Sequence, residues 1–425
     1  MYFQVPYLMD VPIIPAVLLL NGDAFNGGAC HDTYSFSIET VLPDILRAVR
    51  LHLGMDVAFV SEFANEQRVF RYVDCASDKP LIQPGDCGSL EDSYCQRVVD
   101  GRLPELIQDA SRLPAALELP VTTALPVGAH ISVPIRLSDG RLYGTFCCFS
   151  TQPDPSLAER ELAIVRVFAE FAGKQIERQI DSTDLYNTMK ARVDRVLASD
   201  NFTIVYQPIY HIDQERIVGF EALTRFADSP VRPPDVWFSE AANVGLSEKL
   251  EMAAIQKALK SLDVLPSDVY ISLNVAPANI LNGAIARTLE GASLERIVIE
   301  VTEHVFIKDY SQFGAALDPL RQRGLRIAID DAGAGYASFR HILKLNPDLI
   351  KLDMSLTRDV DSDRSRRALA AALIRFAEET DCSIIAEGVE TDLELQTLRQ
   401  LKVNKAQGFL IGRPLPLPAS AALFQ

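Results

Sequence analysis

The chain has 425 residues, 48% of them hydrophobic and 23% charged, and a formal net charge of −16. That length exceeds one ordinary hydrophobic core and predicts two domains of soluble globular composition. The acidic excess excludes a bulk nucleic-acid binder, which needs clustered Lys and Arg, and no apolar run reaches the about 20 residues of a membrane span. Seven cysteines without a CxxC pair give neither a disulfide framework nor a zinc site, and the reading is a cytoplasmic protein.

Residues 1–33 contain VPIIPAVLLL at 11–20, broken by two prolines and lacking the basic start of a signal peptide; they read as a leader, poorly ordered or docking late. A first domain of α+β type is expected over 34–180. FSIETVLPDILRAVRLHLG predicts an amphipathic helix, MDVAFVSEF and QRVFRYVDCA predict strands, and HISVPIRLSDGRLYGTFCCFS predicts a hairpin about its SDGR turn. Cys147 and Cys148 alternate faces of the second hairpin strand, where both pack. A helix follows through PSLAERELAIVRVFAEFAGKQIERQI, with Val165, Phe168, Ala172, Ile176 and Ile180 on one seam. Its continuation over 181–199 reads as a connecting helix. The seam either packs on its own domain or pairs with the same helix of a second chain.

From 200 to 425 a β-branched run, a polar residue at its end and a helical stretch recur. The runs are NFTIVYQPIY, RIVGFEALTRF, VYISLNVAP, RIVIEVTE, RIAIDDAG, DLIKLD, CSIIAEGVE and AQGFLIG. Eight strands alternating with helices predict an α/β fold, a (β/α)8-like TIM-type barrel, which takes about 250 residues. In SRRALAAALIRFAEETD, the stripe Leu369, Ala372, Leu373 and Phe376 predicts the inner face of an outer helix.

In such a barrel, chemistry sits at the C-terminal strand ends. There the sequence places Glu221, Asn274, Glu300, Glu303, Asp330, Asp331, Lys351, Glu387 and Gln407. Buried charges are costly unless paired, so a structural role does not explain this set. All-oxygen ligands favour Mg²⁺ or Mn²⁺ over zinc or copper, and the surplus of carboxylates points to two ions with Asp330 as a bridge. His304 reads as a packing or surface residue. Neighbouring strand residues face opposite ways, so Asp330 and Asp331 share a site only if the strand stops and the backbone curls, which Ala332, Gly333, Ala334 and Gly335 permit.

EALTRF, YQPI, ISLNV, EVTE, IDD, IKLD, AEGVE and QGFLIGRP, in this order between about 203 and 416, resemble the motif series of the EAL domain. The resemblance implies a barrel with one strand reversed, and hydrolysis of cyclic di-GMP to linear pGpG with two Mg²⁺ or Mn²⁺ ions. Glu221, Asn274, Glu300 and Asp330 then match the ligands of one ion, and Asp330, Asp331 and Glu387 those of the other. Lys351 matches the residue that orients the attacking water, Glu387 is also a candidate general base, and Gln407 matches a pocket residue near the water. Gln207 and Arg225 match substrate contacts, and Asp353 is placed for a base contact. The family's DDFGTG reads DDAGAG here, which removes an aromatic anchor and a hydroxyl from a loop tethered, in the family, through the residue matching Glu303. A dinucleotide reading of GAGYAS fails: its third glycine is missing and two aspartates would repel a pyrophosphate.

The opening helix, LGMDVAFVSEF, DSYCQRVVDGRLPELIQDA and the hairpin resemble a GAF sensor domain, which implies an unidentified small-molecule ligand or a dimerisation role. Cys75, Cys87 and Cys95 do not single out a chromophore. The expectation is a homodimeric phosphodiesterase governed by a GAF sensor; the alternative is a catalytically weak EAL module that binds cyclic di-GMP and signals by shape.

Overall fold

A computed structural model describes residues 38–227, 231–302, 307–332 and 337–424, without the side chains of 302 and 337–339. The leader, Glu303, His304 and the segment 333–336 lie outside the described residues. The chain divides into two compact units, Met1–Ile180 and Asp181–Gln425. Among the described residues no helix is long and apolar enough to cross a membrane.

In the first unit the strands are β1 (Val57–Ala64), β2 (Gln67–Cys75), β3 (Cys87–Ser89), β4 (Leu106–Ile107), β5 (Ala129–Arg136) and β6 (Leu142–Ser150). They form one antiparallel sheet in the order β3-β2-β1-β6-β5-β4. The hairpin turn between β5 and β6 is set by Gly140 at φ +83° and by Asp139, which accepts from the Arg141 amide at 2.8 Å. Strand alternation splits the core in two. Ala58, Val60, Phe146 and Cys148 pack with the helix Ile38–Leu53, while Val57, Phe59, Cys147 and Phe149 pack with the helix Tyr94–Val99.

One helix runs without a break over Glu159–Ser199. Its Val165, Ala172 and Ile176 are buried in the first unit's own core, with Phe168 and Ile180 packed against it. The seam is therefore taken up at home. Residues 181–188 are exposed on every side of the helix, Leu185 and Tyr186 included. Val193 and Val196 are buried in the core of the second unit.

The second unit contains β7 (Phe202–His211), β8 (Arg216–Phe226), β9 (Tyr270–Asn274), β10 (Ile297–Thr302), β11 (Arg326–Ala332), β12 (Leu349–Leu352), β13 (Ser383–Ala386), β14 (Lys405–Ala406) and β15 (Leu415–Pro416). Strands β8 to β14 are parallel neighbours in sequence order, and β7 closes the barrel antiparallel to both β8 and β14. One strand of the eight is thus reversed, and β15 adds a short pairing to its edge.

Two sequence expectations need correction. AQGFLIG is not a strand: pairing ends at Ala406, and the chain then turns, with the amides of Ile411 and Gly412 bonding back to Gly408 O. Gly408 lies so close to the 389 peptide that a Cβ there would sit 2.2 Å from Val389 O, so the segment follows that backbone instead of extending. In the helix Arg364–Glu379 the buried stripe is Ala370, Leu373, Ile374 and Ala377, one residue out of phase with the expected set. Both frames share the same spacing and Leu373, and in an alanine-rich helix the period alone does not choose between them.

Candidate active site

The barrel interior is layered by the two-residue period of its strands. Ile209, Val218, Tyr270, Val298, Ala328, Leu349 and Ile385 form an apolar floor. Two residues further on, toward the C-terminal ends, the same strands carry Ser272, Glu300, Asp330 and Lys351, and Glu387 directly follows the end of β13. Gly219, next to a bulge in the β7–β8 pairing, lies opposite Tyr270 of β9, and any Cβ on it would lie 2.6 Å from that ring. Glu221 stands two residues beyond on the polar layer.

Lys351, 1% exposed, sits at the centre. Its Nζ lies 2.9 Å from Glu300, 2.9 Å from Asp330, 2.8 Å from Glu387 and 3.6 Å from Glu221. Burial pulls the ammonium pKa down, but the surrounding carboxylates more than offset it and hold the group charged. Burial raises Glu300 well above the carboxylate range despite Lys351, with Glu221 and Asp330 adding to the rise. Burial likewise lifts Glu387 to about 8, against the pull of Lys351. Further hydrogen bonds fix the acids: Ser272 donates to Glu300 at 2.5 Å, Asn274 to Glu221 at 3.1 Å, and Gln407 to Glu221 at 2.6 Å.

The adjacent aspartates reach one site by a route the sequence did not disclose. The curl comes before the AGAG segment: Asp331 itself adopts the left-handed conformation, φ +56°, and the β11–β12 register slips between Ile329 and Ala332. This extra residue turns Asp331 toward the face of Asp330. Ala332 is back in the ladder opposite Leu352 and fully buried. Carboxylate oxygens of Asp330, Asp331 and Glu387 lie within 4.8 Å of one another. Asp330 Oδ1, though close to Lys351, has no hydrogen-bond partner of adequate geometry. With one ammonium among several acids, burial holds Glu300 and Glu387 toward the protonated form, and the all-oxygen donor set they make with Asp330 and Asp331 fits hard divalent cations.

The remaining expected residues lie around this centre. Gln207 on β7 accepts from Gln407 at 3.3 Å and donates to Gly412 O at 3.4 Å. Gln407 is buried, and its Oε1 has no partner. Arg225 is exposed near the end of β8 and lines a cavity of about 530 Å³, which Leu223, Asn274, Phe238 and Pro277 also border. Asp353 follows the end of β12 rather than sharing its face, and one of its oxygens caps the helix Met354–Thr357 through Ser355 N. Sequence reading missed Ser272 and Glu251. Ser272 alternates with Asn274 on a strand otherwise apolar, a visible signal. Glu251 occupies the buried face of the helix Ser247–Leu259, accepts from Ala276 N at 3.0 Å and lines the same cavity; burial raises its carboxyl.

The EAL domain family model matches residues 190–414, more than half of the chain. The chain belongs to the EAL domain family. A GAF domain model matches residues 37–176, ahead of the EAL domain. An uncharacterized signaling protein of Caulobacter vibrioides is 29% identical over 327 residues, 73% of this chain and 39% of its own length. The cyclic di-GMP phosphodiesterase NbdA of Pseudomonas aeruginosa is 29% identical over 243 residues, 54% of this chain and 31% of its own length. Among solved structures, the c-di-GMP complex of the PaMucR phosphodiesterase superposes on 55% of this chain and 99% of that one, with 25% identity and a TM-score of 0.50. The chain spans less than half the length of these curated relatives.

Proposed function

We propose that the EAL domain hydrolyses cyclic di-GMP to linear pGpG. The observation that carries this reading is the convergence of Glu221, Glu300, Asp330 and Glu387 on Lys351, with Asp331 turned to the same side. Glu221, Asn274, Glu300 and Asp330 are assigned to one Mg²⁺ or Mn²⁺ ion, and Asp330, Asp331 and Glu387 to a second. Bound there, the ions supply Lewis-acid charge that acidifies water and neutralises phosphate oxygens. Lys351 Nζ, held rigidly among carboxylates, donates to the attacking water and orients it. Glu387, at the edge of the cluster, would accept the proton with a cation beside it holding its carboxyl ionised, since burial otherwise lifts that group to about 8. Arg225 pairs with a phosphate, and the largely apolar cavity beside it houses a base. Gln407 ties Glu221 to Gln207 and fixes the wall against which the sugar-phosphate ring lies. Glu303, as the loop anchor, and Asp353, as a base contact, complete the assignment.

The GAF domain is assigned a sensor role with a small-molecule ligand, and the chain a homodimeric state through the exposed stretch of the long helix around Leu185 and Tyr186. The test is product analysis of purified protein incubated with cyclic di-GMP, with Mg²⁺ or Mn²⁺ and with chelator. Metal-dependent pGpG supports the enzyme; nucleotide binding without product supports a binding module.

A further inference from the structure

Outside the barrel, the first unit holds a buried polar cluster that the hydrolytic reading does not use. Cys95 on the helix Tyr94–Val99 and Cys147 on β6 are both fully buried, and their sulfurs lie 3.7 Å apart. Hydroxyls surround them: Ser132 and Thr145 each lie 3.1 Å from Cys147 Sγ, Ser61 lies 3.8 Å from Cys95 Sγ, and Ser61 and Thr145 bond each other at 2.9 Å. Burial alone raises the Cys95 thiol, but hydrogen bonds from Cys147, Thr145 and Ser61 and the charge of Arg68 bring it down to about 6. Cys148, next to Cys147 in sequence, faces the other core, where burial pushes its thiol far up.

Cys95 also borders a cavity of about 20 Å³, with Arg68, Tyr94 and His130 in its wall. That volume suits roughly one water-sized molecule. Two buried polar atoms of the wall, Arg68 Nε and His130 Nδ1, have no hydrogen-bond partner. They are placed to bind a small polar oxidant and to stabilise an oxygen leaving from it. A thiol with a second thiol in contact, a small cavity beside it and two unpartnered nitrogens in the cavity wall together make a reaction site.

We propose that Cys95 and Cys147 form a dithiol that hydrogen peroxide converts to an intramolecular disulfide. The Cys95 thiolate attacks one peroxide oxygen; the O–O bond breaks, and the departing hydroxide takes a proton and leaves as water. The resulting sulfenic acid is attacked by Cys147 sulfur, which gives up its proton as the S–O bond breaks and a second water departs. Two thiols are oxidised and one peroxide is reduced to two waters. Closing the sulfurs from 3.7 Å to about 2.05 Å draws the helix Tyr94–Val99 onto β6 and narrows the cavity.

The experiment treats the reduced full chain with hydrogen peroxide, blocks remaining thiols with an alkylating agent, and maps the digest by mass spectrometry. A Cys95–Cys147 linked peptide, reversed by dithiothreitol and formed at doses that leave Cys148 and Cys382 alkylatable, is the expected result. In Cys147→Ser, Cys95 stops at sulfenic acid and is trapped by dimedone. In Cys95→Ser, oxidation of Cys147 slows by about tenfold or more, since the activated thiolate is gone. Wild-type protein whose Cys95 and Cys147 stay alkylatable after unfolding overturns the proposal, as does a link between Cys147 and Cys148 instead. Because the wild-type map alone decides, poor folding of a variant does not spoil the test.

Discussion

Replacing Lys351 by methionine keeps the length of the side chain and removes the ammonium at the centre of the polar layer. Three carboxylates within 2.8 to 2.9 Å and a fourth at 3.6 Å then face one another without it. Breaking a buried ion pair from one side costs about 3–5 kcal/mol, and because burial already holds Glu300 and Glu387 toward the protonated form, which relieves part of the repulsion, the loss in chelator belongs at the lower end. Divalent ions return the missing charge: a ligand at a hundred times its Kd stabilises by about 2.7 kcal/mol, and the variant, lacking a competing cation, gains more from Mg²⁺ than the wild type does. The assay is urea unfolding with and without Mg²⁺, followed by the fluorescence of the chain's single tryptophan, Trp237, which is buried in the second unit and stacked on Phe226. A variant within about 1 kcal/mol of wild type in chelator, or an equal Mg²⁺ increment for both, would refute the charge-compensation argument.

Asp331→Asn keeps a side chain that tolerates positive φ, so the protein folds while the Mg²⁺ concentration for half-maximal hydrolysis rises. Asp331→Val meets the φ +56° backbone with a branched side chain and loses about 1–3 kcal/mol of stability as well. Ala332→Phe, the substitution that restores the family's aromatic residue, inserts a ring at a fully buried strand position; an overpacking loss of about 1–3 kcal/mol in urea unfolding is expected, rather than a gain in activity. His130, buried beside Arg68 and Tyr94, is pushed down to about 3 by burial and then by Arg68. Between that value and its unfolded pKa of about 6.5 the unfolded chain binds more protons, so stability falls as pH drops below about 6.5, by up to about 1.4 kcal/mol per unit. Circular-dichroism melts across this window should show wild type losing stability relative to His130→Phe as pH falls.

Most of the strand-end charges were legible because they follow an apolar residue by two positions, as Val298 precedes Glu300 and Leu349 precedes Lys351, while Glu221 follows Gly219. A charge in that alternation has no solvent to escape to, so its presence signals a site. Reversal of β7 entered through the family likeness and is carried in the structure by antiparallel pairing on both sides. What stayed hidden depended on backbone phase. The bulge at Asp331 shifts one strand by a residue, and local composition pointed instead to the glycines after it. The helix Arg364–Glu379 was read one residue out of register because alanines mark neither face. Cys95 and Cys147, far apart in sequence, meet only because the helix Tyr94–Val99 packs on the face of β6 opposite Cys148. Such long-range contacts leave no periodic trace.

The central claim rests most directly on chromatography of the products formed from cyclic di-GMP by wild type and Glu221→Ala, each with Mg²⁺, Mn²⁺ or chelator. The account predicts metal-dependent pGpG from the wild type and, with folding intact, a loss of about 10³-fold in Glu221→Ala, roughly 4 kcal/mol of transition-state stabilisation. Wild-type protein that binds the nucleotide but forms no pGpG at any metal concentration, or a Glu221→Ala variant that keeps the wild-type rate, would contradict it.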